Sequence, residues 1–139
     1  RNLIMSDNPQ FRDETGQVTG IRVLPPTAEG AHYEVSLSTK GTLEGSNYNA
    51  LWTYTQVQRN DCSIYGQGDG VLTTECGEVI HLKGSGSAQG KEADGGVIFK
   101  TINHHHTASA KFKHLNGVAG VGIYKVPPEG KTTAQFSIL

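Results

Sequence analysis

Glycines at alternate positions limit what this chain can fold into more than any other feature. Gly66, Gly68 and Gly70 stand at i, i+2 and i+4, and Gly84 with Gly86 and Gly120 with Gly122 repeat the spacing. In a strand, successive side chains point to opposite faces, so each set strips one face bare. A helix would scatter these positions, and each glycine in its interior would cost about 1 kcal/mol relative to alanine. A strand bare on one side can coil sharply or let another group approach its backbone closely. Three such strands point to a sheet that bends until it closes. The other use for a bare face is room for a ligand. GQGDGV does not open a helix, so it is not a phosphate-cradling loop.

The rest of the chain agrees with an all-β fold. Runs rich in Val, Ile, Thr and Tyr recur between turn clusters: QVTGIRVL, AHYEVSLSTKGTL, NALWTYTQVQ, SIYGQGDGVLTTE, EVIHLKGSGSAQG, GGVIFKTIN, KFKHLNGVAGVGIYKV and TTAQFSIL. Tyr33, Val35 and Leu37 alternate with His32, Glu34, Ser36 and Ser38, the period of a half-buried strand. Trp52, Tyr54 and Gln56 likewise share a face. Residues 1–15 are polar, contain Pro9, and read as a loose arm. HHHTASAKFKHL is the one stretch able to hold a turn or two of helix, around residues 103–114, with Thr107 or Ser109 as cap. The expectation is one domain over residues 1–139, a closed antiparallel barrel of about eight strands.

Composition excludes several classes of function. A formal net charge of −1 gives no basic stripe for nucleic acid. The longest basic cluster, Lys111, Lys113 and His114, reads as a solvated strand face. No apolar run is long enough for a membrane helix, and no signal peptide is evident, so the expected location is the cytoplasm. Cys62 and Cys76 flank one strand, which if straight would hold them roughly 40 Å apart. A disulfide needs Cα atoms within about 7 Å, so both are expected as free thiols.

Four segments carry a resemblance: GQGDGVLTTECGE at 66–78, KGSGSAQG at 83–90, VIFKT at 97–101 and LNGVAGVGIYKV at 115–126. Over about residues 16–139 the chain resembles a family of small microbial proteins without an assigned activity. That family is similar in fold to the allene oxide cyclase barrels, relatives of the calycin-like barrels. The resemblance implies a barrel with an interior cavity, and does not imply the cyclase reaction. His104, His105 and His106 depart from the family pattern, which has small or polar residues there.

Candidate site residues follow from these patterns. Tyr33, Trp52, Tyr54, Tyr65, Phe99 and Tyr124 either fill the core or line a pocket for a small apolar or amphipathic ligand. Tyr33, Trp52 and Tyr54 suit a pocket best, since each carries a polar tip. An alternative is a cyclase or isomerase that holds a flexible apolar substrate, with Tyr54 or His81 handling the proton. A second alternative is a metal-dependent enzyme using His104 and His106, joined by His114 or Asp94 if folding brings either near. The expected metal set is none, because no third ligand stands at recognisable spacing, and no cofactor is expected. Apolar residues on both faces of several strands, among them Leu51 and Val57 opposite Trp52 and Tyr54, point to a homodimer or higher homo-oligomer.

Overall fold

The computed structural model describes residues 10–139. They form eight strands: β1 (Gln10–Thr27), β2 (Gly30–Leu43), β3 (Ser46–Arg59), β4 (Ile64–Thr74), β5 (Val79–Ala88), β6 (Val97–His106), β7 (Ala119–Val126) and β8 (Lys131–Ile138). Each pairs antiparallel with the next, and β8 returns to β1, closing the barrel. Closure pairs the backbone all the way round and removes most of the edge that an open sheet would expose. The expected all-β barrel is thus the observed fold.

The inward side chains of β2 and β3 follow the alternation in the sequence. Val35, Leu37 and Thr39 on β2 and Tyr48 and Ala50 on β3 are buried, while their neighbours face out. The glycine sets of β4, β5 and β7 all lie on the inner face. On the outer face Asp13, Lys40, Asp69, Lys83, Lys100 and Lys125 are exposed, a charged wall that faces water and would be costly against lipid. Among the described residues no helix is long and apolar enough to cross a membrane.

The two ends of the barrel differ. At the end where β1 begins, the β6–β7 connection folds back as a plug with a 3-10 turn at Lys113–Leu115. Its Phe112 and Leu115 are fully buried against Leu43, Tyr48, Leu72, Ile80 and Leu82. At the far end a smaller cluster gathers Ile64, Ala88 and Phe99, with Val97, Tyr124 and Val126 against it. Here β1 outgrows its neighbour. Only Gln10–Gln17 pairs with β8, so the upper half of β1 has β2 alone beside it. A register shift between Val18 and Gly20 changes the phase of the strand. Arg12, Glu14 and Gly16 point inward below the shift, and Ile21 and Val23 join the inner face above it.

The structure corrects some sequence expectations. Residues 1–9 of the expected arm lie outside the described residues. Residues 10–15 belong to β1, which starts at Gln10 and not at Gln17, and Phe11, Arg12 and Glu14 are buried. The only helical element described is the 3-10 turn. Thr107 does not cap it: its Oγ1 donates to the Val79 carbonyl at 2.7 Å and accepts from the Ser109 N–H at 3.0 Å. Cys62 and Cys76 are free, exposed, and at opposite ends of β4.

Candidate functional site

Between the two core clusters lies an interior cavity of about 70 Å³. One wall is bare backbone, because Gly66 faces Gly86 and Gly68 faces Gly84 across the β4–β5 ladder. The glycines let a ring approach the backbone closely and leave open space beside it. A Cβ on Gly70 would stand 2.5 Å from Cδ2 and Cε2 of Trp52, and one on Gly84 would stand 3.2 Å from Cζ3. The indole therefore lies flat over this wall and covers what the missing side chains leave open. The remaining space beside it is the cavity.

Polar side chains stand behind the largely apolar floor of the cavity. Arg12 is only 2% exposed, with its guanidinium 4.0 Å from the centre of the Phe136 ring. With its amide oriented to suit, Asn103 accepts from Nη2 of Arg12 at 2.6 Å and donates to the Ile102 carbonyl at 3.2 Å. Glu14 lies close by, its Oε1 3.8 Å from Nε of Arg12, an ion pair without a direct hydrogen bond. That oxygen accepts from the Tyr48 hydroxyl at 2.6 Å and, at a long 3.5 Å, from Thr39. Burial holds the Tyr48 phenol well above its ordinary pKa; the Arg12 charge opposes this and Glu14 adds to it. Among the described residues, Nε and Nη1 of Arg12 have no hydrogen-bond partner.

The roof is aromatic. Tyr54 from β3 and Tyr124 from β7 meet across the barrel with their hydroxyls 3.3 Å apart and their rings edge to face at 89°. Phe99 stacks on Tyr124 at 5.7 Å between ring centres. Burial raises the pKa of both phenols, so each remains a neutral donor and acceptor near neutral pH. Beyond this roof the tall β1–β2–β3 wall continues the inner face. Ile21, Val35 and Tyr54 form one cross-strand row, and Val23 and Tyr33 the next. Ile21 and Val23 are 67% and 77% exposed there.

Of the residues singled out in the sequence, Trp52, Tyr54, Phe99 and Tyr124 line the cavity together. Tyr33 shares their inner face but stands on the tall wall, outside the cavity. Tyr65 does not join them: it alternates with the inward glycines and faces out, under the Arg59 guanidinium at 5.4 Å, with its hydroxyl donating to Gln67. His81 is on the outer face, exposed, directly opposite His106 in the β5–β6 register. It therefore shares no site with Tyr54. His104 and His106 also face out and His105 faces in, as a strand requires. Neither suggested third ligand reaches them, because His114 bonds Glu44 at 2.7 Å and Asp94 accepts from the Gly96 N–H at the other end of the barrel. Among the described residues no three His, Cys, Asp or Glu side chains are grouped to hold a metal. Arg12, Glu14 and Asn103 were not among the sequence candidates.

No family profile matches this chain, and no curated protein matches it. Solved structures do. A protein of unknown function from Clostridium acetobutylicum superposes with a TM-score of 0.84 at 17% identity, over 96% of this chain and 99% of that one. A beta-barrel like protein from Acinetobacter baumannii gives 0.81 at 13% identity, over 96% of each chain. A conserved protein of unknown function from Rhodopseudomonas palustris gives 0.79 at 12% identity, over 96% and 97%. At these identities the likeness is one of fold alone: this chain shares its barrel, end to end, with small bacterial proteins whose activity is not assigned.

Proposed function

We propose that the barrel binds a small amphipathic molecule, with the polar group on the floor of the cavity and the apolar part under and beyond the aromatic roof. One observation carries this reading: the interior is not packed solid, but keeps about 70 Å³ between the buried Arg12, Glu14 and Asn103 cluster and an aromatic roof. The volume limits the ligand. An apolar cavity of about 150 Å³ admits benzene, so with Tyr54 and Tyr124 in contact this one takes only a few heavy atoms. A longer ligand leaves between those rings along the inner wall of Ile21, Val23, Tyr33 and Val35. Ile21 and Val23 give that wall exposed apolar surface, and the row of Ile21, Val35 and Tyr54 joins it to the site, as a ligand tail would require.

A cyclase or isomerase remains the second reading, because the paired hydroxyls of Tyr54 and Tyr124 would touch a bound substrate. Their raised pKa values suit them to donate hydrogen bonds, and make either a poor base. Binding without turnover is therefore preferred.

The chain contains a single tryptophan, Trp52, so its emission reports on the cavity. Titration with hexan-1-ol should change that emission saturably. Gly66→Ala should weaken the response without unfolding the barrel. Its new methyl makes only ordinary contacts, 3.4 Å from the Thr55 carbonyl and 3.6 Å from Tyr54, while narrowing the space. A linear response, or one unchanged by Gly66→Ala, refutes the reading.

A further inference from the structure

We infer that the polar group this cavity selects is an anion of carboxylate size. The inference rests on the binding role proposed above and goes on to name the chemistry of the ligand's head. The polar groups that the protein leaves without partners set the chemistry of the ligand. Among the described residues the buried side-chain atoms lacking a hydrogen-bond partner are Nε and Nη1 of Arg12 and Nε2 of His105. Only Arg12 lines the cavity. Both of its open positions are donors, and both belong to a group that stays charged at any physiological pH. Whatever completes them is an acceptor, and a negative one gains most in so enclosed a place.

The neighbours of Arg12 sharpen the choice. Glu14 is the nearest carboxylate, but its Oε1 stands 3.8 Å from Nε and is already taken by the Tyr48 hydroxyl. It balances the charge without satisfying the donors. Asn103 satisfies Nη2 only. Burying a cation with donors left unpaired is costly, a penalty that a bound anion relieves. Size then excludes bulky anions. About 70 Å³ is less than half the volume of an apolar cavity that admits benzene, which fits a three- or four-atom head and not a phosphate ester with its substituent. The apolar remainder passes the roof, so the class is a small monocarboxylate with a hydrocarbon tail. Glu14 tunes the site, because its charge opposes the ligand's own.

Three probes of six carbons each test this: hexanoate, hexan-1-ol and hexylammonium, titrated calorimetrically at neutral pH into the whole protein. Hexanoate should bind about tenfold or more tighter than the alcohol, the factor expected from one charge-assisted hydrogen bond. Hexylammonium should bind most weakly. Glu14→Gln keeps an acceptor for Tyr48 and should raise the ratio of hexanoate to hexan-1-ol affinity. Arg12→Gln should reduce hexanoate to the level of the alcohol. If Arg12→Gln fails to fold, the hexanoate-to-hexanol ratio and its rise in Glu14→Gln decide alone. Equal affinity for acid and alcohol, or a preference for the amine, overturns the anion inference but leaves the binding role standing. Absence of binding by all three probes overturns both.

Discussion

Gly70→Ala tests whether the bare face of β4 is shaped by the Trp52 ring. The added Cβ would sit 2.5 Å from two ring carbons and 2.9 Å from a third, whereas carbons pack best at about 3.5–4.0 Å. The ring cannot slide away freely, because its far edge is already close to Gly84. The overlap of roughly an ångström must be relieved by an off-rotamer indole or by a shifted strand, at about 1–3 kcal/mol. For a chain of this size that lowers the melting temperature by about 3–15 °C. Gly20→Ala is the control. Nothing lies within 4 Å of its added methyl, so it should be neutral or stabilise by up to about 1 kcal/mol. Thermal unfolding followed by circular dichroism gives the stability, and emission of the single tryptophan shows whether the ring has moved. Adding Trp52→Leu to Gly70→Ala should recover part of the loss, with a coupling of about 1 kcal/mol or more. Equal melting temperatures for Gly70→Ala and Gly20→Ala, with unaltered emission, would refute the reasoning.

Other outcomes follow from the same structure. The His105 ring is buried at the closed end with one nitrogen 2.9 Å from the Val118 carbonyl, and burial lowers its pKa below the ordinary value of about 6.5. The unfolded chain then binds the proton first, so stability is complete above about pH 6.5 and declines as the pH falls from there towards the folded pKa. Denaturant midpoints measured between pH 7 and 5 should show this fall, and His105→Gln should flatten it; an unchanged slope counts against burial as the cause. Tyr48→Phe removes the 2.6 Å hydrogen bond to Glu14 and should cost about 1–3 kcal/mol in urea unfolding, while a loss under 0.5 kcal/mol would mean that Glu14 finds another donor. Self-association is expected, because Leu51 and Val71 face each other on the outer wall and the upper half of β1 lacks a second neighbour. Light scattering after size exclusion should return twice the chain mass of 14.9 kDa, and a mass of 14.9 kDa itself would remove the idea.

Much of the barrel was legible because its walls follow period two. The alternation of Tyr33, Val35 and Leu37 on β2, and of Trp52 and Tyr54 on β3, is the inner face of the structure. The glycine sets mark the same face on β4, β5 and β7. That phase also carried information the candidate set did not use. If Gly66, Gly68 and Gly70 point in, Tyr65 must point out; if Gly84 and Gly86 point in, so do Ile80 and Leu82, and His81 points out with Lys83. The floor of the site was hidden for a different reason. Arg12 and Glu14 lie in a polar stretch that reads as solvent-exposed, and the groups that make their burial tolerable come from Tyr48, Asn103 and Phe136 on other strands. No local pattern announces a charge whose partners are far along the chain. The phase change in β1 was hidden as well, since the shift after Val18 is set by pairing with β2 and not by composition.

The claim that the interior of this barrel holds the ligand is tested most directly by isotope-filtered NMR on the protein saturated with hexanoate. Intermolecular Overhauser effects are expected from the hexanoate chain to the side chains of Trp52, Tyr54, Phe99 and Tyr124, with a shifted Arg12 Nε–H resonance. Effects confined to Leu51, Val71 or other outward side chains, or none at all with ligand in excess, would contradict it.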